Sequence, residues 1–521
     1  MVADSNFISN VAISGGGIDT ELLSSIVHCN FIDNRATTGD GGGLHGFSQD
    51  SITISYSTFL NNTASHSGGG ARLDTRGTDN VSVYITGSAF TDNTASQGHG
   101  GGVYYRSSGQ YASVKVTDAT FRNNIATTPQ ESSRNTIYGG GVYVTGSNSH
   151  ISVDTSDFAM NSVSGSGGAI YVTGSVSVNE STFANNIALT GEGGAIVSNG
   201  PNANVSLFQS TFSHNVAPSC GALTVQDSHH MISVIESSFT YNTATDTING
   251  GGVSCISSAS VSVISSNFLH NSANFHGGVY RIENSSLNIE DCLFYNNSAS
   301  GDGGVVHTNT ALRDASVFLQ CTFSQNSADN DGGVLFIGNS GSQLSISKST
   351  FTNNSATSRG GAIYIIGSTV QINETNIYNN LADLGGAIRA CDSTITFTDS
   401  ELMLSTDPSN SLCTLYEGNI DHFNETIPHS VDVAVDITLT AIVVSCPFEY
   451  DTPTDTITTT IQTTDTITTT TQATETITTT AQATETITTT AQATEAVTTT
   501  VQATKNIATT TQATEVVTST G

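Results

Sequence analysis

From its first residues to about residue 390 the chain alternates apolar and polar positions with period two, the signature of half-buried strands. Val176 and Val178, Val205 and Leu207, Val261 and Val263, and Leu344 and Ile346 each stand seven and five residues ahead of a Phe. Ser, Thr and Asn fill the gaps. A second apolar run follows each glycine pair, as in Ala362-Ile363-Tyr364-Ile365. No stretch shows helical period with capping residues, so the pattern predicts three short strands per unit and no helix.

The units repeat. Phe stands at 7, 31, 59, 90, 121, 158, 183, 212, 239, 268, 294, 323 and 351, and Ile377 takes the next place. Asn follows three residues later every time, from Asn10 to Asn380. Ala follows at five, with Val163 the exception, and then a glycine pair, with Cys220-Gly221 the exception. The spacing averages about 28 residues and ranges from 24 to 37. An antiparallel sandwich would not demand one residue type at each place. A stack of coils would, because equivalent side chains then lie about 4.8 Å apart in columns. The predicted fold is all-β, a right-handed single-stranded parallel β-helix of about 13–14 coils over residues 1–390.

In that fold Phe183, Phe212, Phe239, Phe268, Phe294, Phe323 and Phe351 stack inside the coil. Asn186, Asn215, Asn242, Asn271, Asn297, Asn326 and Asn354 form a hydrogen-bonded ladder at a bend. The glycines supply the backbone angles of a tight corner. A buried Phe contributes up to about 3 kcal/mol, whereas ordering a coil of this length costs roughly 40 kcal/mol. Coils must therefore share surface with their neighbours. The variable length falls at fixed corners, in loops such as 127–138 and the segment from Arg72 to Asn80, where any specificity is expected.

Past residue 391 the repeat decays. Residues 391–450 read as a C-terminal cap, needed because an open end is an exposed strand edge. Their alternation at 431–443 reads as one long strand, and Cys413 and Cys446 form a possible disulfide. Residues 451–521 repeat a Thr-rich decapeptide (TETITTTAQA) without aromatics. They are expected to be a disordered stalk or linker.

Charge narrows the function. Lys and Arg number 13 against 44 Asp and Glu, a net charge of −31 with no basic patch, which argues against nucleic-acid binding. No apolar run is long enough for a transmembrane helix. The opening MVADSNFISN has no signal-peptide pattern and enters the repeat at once, so the chain reads as a fragment of a longer protein. Cys29, Cys292 and Cys321 occupy the place, two before the Phe, that Ser usually fills. They read as small buried residues, Cys292 and Cys321 being near neighbours in consecutive coils.

Candidate chemistry is sparse. Arg72, Asp74 and Arg76 form one charged trio that could serve a polysaccharide-active enzyme or simply be a solvated loop. Glu192, Asp302 and Asp331 precede the glycines in their coils and are weak calcium candidates. No other cofactor is implied, and the histidines fall at unlike unit positions. The third residue after the glycines gives an outward column: Tyr105, Val144, Tyr171, Val197, Thr224, Cys255, Arg281, His307, Phe336, Tyr364 and Arg389. Its aromatic members would suit a glycan or a partner surface, or reflect strand propensity alone.

The paired motifs FxxN and GG[AV][IVLY], as in Phe351 to Asn354 with Gly360-Gly361-Ala362-Ile363, resemble the repeats of the chlamydial polymorphic outer-membrane proteins over about residues 7–390. The resemblance implies a β-helical passenger displayed on a cell surface, or in the outer membrane of a bacterium, and acting as a non-enzymatic adhesin. Its partner would be a protein or glycan on a host or neighbouring cell. It carries no catalytic residues, because both motifs are structural. Where that family has a C-terminal β-barrel, this chain has the Thr-rich tail. The alternatives are a pectate-lyase-like polysaccharide enzyme and a structural wall or matrix component.

Overall fold

The computed structural model describes residues 1–403 apart from 77–79, 129–136, 202, 227–229, 248–249, 339–340, 392 and 399, with side chains through residue 400. Beyond Met403 it describes only the backbone of short strands. The chain divides into two compact units, Met1–Arg281 and Ile282–Gly521. Among the described residues both are all-β, and each is a parallel β-solenoid.

In the first unit the coil around Phe183 is representative. A long strand, Ile170–Asn179, is followed by Thr182–Ala184 and then Ile187–Ala188. Each pairs in parallel with its counterpart one coil on, and Phe falls opposite Phe from Phe7 to Phe268. The rings stack face to face, with centroids 4.5 Å apart for Phe31 and Phe59 and 5.0 Å for Phe239 and Phe268. The second unit repeats this, Phe294 on Phe323 at 4.9 Å and Phe323 on Phe351 at 4.5 Å, with Ile377 next in register. Stacking at strand spacing explains why one residue type recurs.

The Asn ladder satisfies every polar atom of its side chains. Asn186 Nδ2 donates to Asn215 Oδ1 (3.0 Å) and to the Phe158 carbonyl (2.9 Å). Asn186 Oδ1 accepts from the Nδ2 and backbone N–H of Asn161. The same pattern links Asn297, Asn326 and Asn354 in the second unit. A buried amide with all its partners has its desolvation offset by hydrogen bonds, and the ladder fixes the register.

A second ladder, not foreseen, runs along the Ser positions two before the Phe. Ser181 Oγ accepts the Ser156 N–H (3.0 Å) and donates to the Asn179 carbonyl (2.7 Å), and Ser210 repeats this on Ser181. Cys29, Cys292 and Cys321 are buried free thiols in this column, and Cys292 and Cys321 donate to the carbonyls of Glu290 and Leu319, as the Ser hydroxyls do.

Each ladder residue directly follows one with positive φ: Glu180 (φ 46°) precedes Ser181, and Asn185 (φ 56°) precedes Asn186. Two left-handed bends thus bracket the short Phe strand and turn it through the corners of the coil. The third corner belongs to glycine. Gly193 has φ +63°, and a Cβ there would lie 2.5 Å from the Ile196 carbonyl oxygen; one on Gly194 would lie 2.6 Å from Val216 N.

Where the cap was expected, Ala434–Ile437 pairs antiparallel with Ser400–Met403, and Ile442–Val443 with Thr394–Thr398. Short strands of the Thr-rich tail pair in parallel at every second decapeptide, Thr456 opposite Thr476. The bridge expected between Cys413 and Cys446 lies outside the described residues.

Candidate functional site

Past the glycine corner the chain enters a strand whose alternate side chains point out of the coil. In the first unit the register places Asp19, His45, Arg72, Tyr104, Tyr143, Tyr171, Val197, Thr224 and Cys255 in one outward column. This corrects the sequence count at two positions: Tyr105 and Val144 point into the coil and are fully buried. Their coils carry three glycines, Gly100–Gly102 and Gly139–Gly141, and the third takes the place of Ala, so counting from the last glycine slips by one and flips the face.

The column is not an open face either. Tyr104, Tyr143 and Tyr171 are only 8, 9 and 5 % exposed. Residues from the turn before the glycines lean over them. His99 stacks on Tyr143 (4.6 Å) and on Tyr138 (5.3 Å), and Tyr138 lies 4.2 Å from Tyr171. The Tyr138 N–H donates to His99 Nδ1 (3.1 Å). The Tyr171 hydroxyl accepts from Asn199 Nδ2 (2.7 Å). Burial pushes Tyr104 and Tyr171 up to about 12, and burial then Arg72 hold His99 below its ordinary value. At neutral pH the tyrosines are uncharged hydroxyls and no nucleophile is exposed among them.

Arg72 joins this wall to the charged trio. Its Nε donates to Asp74 (2.7 Å), its Nη1 reaches Asp40 (2.7 Å), and its guanidinium lies 4.7 Å over Tyr104. Burial lowers the Arg72 pKa, but Asp74 and Asp40 outweigh it and hold it above the usual range. His45 Nδ1 lies 3.2 Å from Asp19. Arg76 rests on the Phe47 ring at 4.1 Å. Asp74 is buried and paired with Arg72.

In the second unit His307, Phe336, Tyr364 and Arg389 form an outward column of the same kind. Arg359, one residue before the glycines, donates from Nε to Asp331 (2.9 Å) and from Nη1 to the Tyr364 hydroxyl (3.0 Å), its guanidinium 4.6 Å over that ring. Burial pushes Tyr364 up to about 12. The calcium candidates are placed accordingly. Asp331 is neutralised by Arg359, and Asp302 accepts from Asn330 Nδ2 (2.6 Å) and the Asp331 N–H (3.2 Å). Glu192, in the first unit, accepts from Gln226 Nε2 (2.6 Å). A calcium ion at Asp331 would have to displace an arginine.

Sequence reasoning missed one covalent feature, a disulfide between Cys220 and Cys255 with Cα atoms 5.3 Å apart. The signal was present, since Cys220 replaces a glycine of the corner and Cys255 lies in the outward column one coil on.

Ladders inside, a glycine corner and an outer column that packs against its own turns define the class: a β-solenoid built from FxxN/GGAI coils. Residues 291–309, 320–341 and 348–366 match the model of the Chlamydia polymorphic membrane protein repeat. Those three stretches are successive coils of the second unit, which are thus similar to that repeat, and the same motif positions recur in the sequence back to Phe7. No curated protein matches it.

Proposed function

We propose that the chain is a non-enzymatic β-helical passenger, exposed on a cell surface or secreted, that works as an adhesin or interaction scaffold toward a protein or glycan of a neighbouring or host cell. One observation carries this reading. Asp74 of the charged trio and the calcium candidate Asp331 are each tied to an arginine, so neither of these carboxylates stands free. The repeat match supports a surface setting, because outer-membrane display is the property of that family. The pectate-lyase-like alternative finds little support at Arg72 and Asp74, whose charges neutralise each other.

The test is saturable binding of the purified chain to a panel of cells, matrix proteins and glycans, with turnover of acidic polysaccharides measured alongside. Saturable binding without turnover is expected. Turnover abolished by Asp74→Ala would overturn the reading, as would a complete lack of binding across the panel.

A further inference from the structure

Cys220 stands in a column otherwise filled by glycine. In the first unit Gly167, Gly193 and Gly277 hold the equivalent corner with φ of +74°, +63° and +68°, and Cys220 adopts +58°. The register is secure: the Glu192 and Ser219 backbones bridge, Gly194 N–H donates to the Cys220 carbonyl, and Gly221 N–H donates to the Gly251 carbonyl. A side chain here takes a left-handed backbone, and at the equivalent Gly167 and Gly193 an added Cβ would lie 2.5 Å from the carbonyl oxygens of Ile170 and Ile196. The intruding side chain is bonded to the next coil through Cys255.

We propose that the Cys220–Cys255 bond is a redox-dependent latch. Oxidised, it holds a corner that elsewhere needs glycine; reduced, it leaves a strained cysteine and lets this coil open more often than its neighbours. Formation joins the two Sγ atoms and passes two electrons and two protons to an oxidant, a small-molecule disulfide or a disulfide-donating protein, which leaves as thiols. The chain would then be locally loose in a reducing compartment and locked at this coil on reaching an oxidising one.

Amide hydrogen exchange of the full chain tests this, read at Gly194, Gly221 and Leu223, whose N–H groups bond across the coil. Reduced wild type and Cys255→Ser should exchange roughly tenfold faster there than the oxidised protein, because the bond no longer offsets the left-handed cost of a side chain. The double variant Cys220→Gly/Cys255→Ser restores the glycine and should be protected with or without reductant. Equal protection of oxidised and reduced wild type would overturn the latch. So would a double variant as labile as Cys255→Ser, which would show that the bond, and not the corner, governs opening.

Discussion

Replacing Phe239 by Ala tests the stacked column directly. The ring is 1 % exposed and lies between Phe212 at 4.8 Å and Phe268 at 5.0 Å. Its apolar burial is worth up to about 3 kcal/mol, and a core Phe removed with its cavity left behind costs about 3–5 kcal/mol. Two ring stacks, each worth about 1 kcal/mol beyond area, place Phe239→Ala in the upper part of that range. In this chain Phe7 is half-buried and stacks on Phe31, so Phe7→Ala should cost about 1–2 kcal/mol. Urea titration gives the total. Because damage in an array stays near its coil, hydrogen exchange adds the location. The Ser238 and Asn267 amides, which donate to Ser210 and Ser237, should lose protection first. A cost below about 1 kcal/mol, or one equal to that of Phe7→Ala, would refute the shared-column argument.

Two further outcomes are expected. Arg359→Met leaves Asp331, whose side chain is 1 % exposed, without its cation; because Arg359 itself is 37 % exposed, the cost should be near about 3 kcal/mol. Adding Asp331→Asn should recover much of this in a thermal melt, and a double variant no better than the single would contradict the pairing. Burial holds His99 and His150 below their ordinary value, and burial then Arg281 bring His276 down to about 4. The unfolded chain therefore binds protons near pH 6.5 that the native chain refuses, so stability should fall as pH drops below 6.5. His276 adds to the loss until about pH 4. Imidazole titrations followed by NMR would check this, and ordinary midpoints for all three would contradict it.

The columns that sequence revealed are those where stacking demands one side chain: Phe for ring on ring, Asn for amide on amide, Gly for the corner. The left-handed columns were invisible because they constrain only the backbone, and Glu180, Gln209, His214 and Tyr241 all satisfy them. The Ser ladder was half visible, with its position noticed but not its bonds, because Ser is abundant throughout the chain. The outward column was misread at Tyr105 and Val144 because a third glycine shifted the count. It was misjudged as open because nothing in a linear pattern says that His99 and Tyr138 fold back over the strand. Cys220 breaks the motif in the sequence because it is half of a cross-link.

The Asn ladder has a direction. Each Nδ2 donates to the Oδ1 of the next rung, as from Asn161 to Asn186 and from Asn186 to Asn215, and its second hydrogen goes back to a Phe carbonyl. All rungs are interchangeable, so an in-frame deletion that removed the coil of Asn186 would set Asn161 against Asn215 with the same donor and acceptor. Recombination between repeats can lengthen or shorten the array without orphaning a buried amide. The number of coils is thereby a quantity that genetic drift and selection can alter one unit at a time, while the loops at the corners change independently.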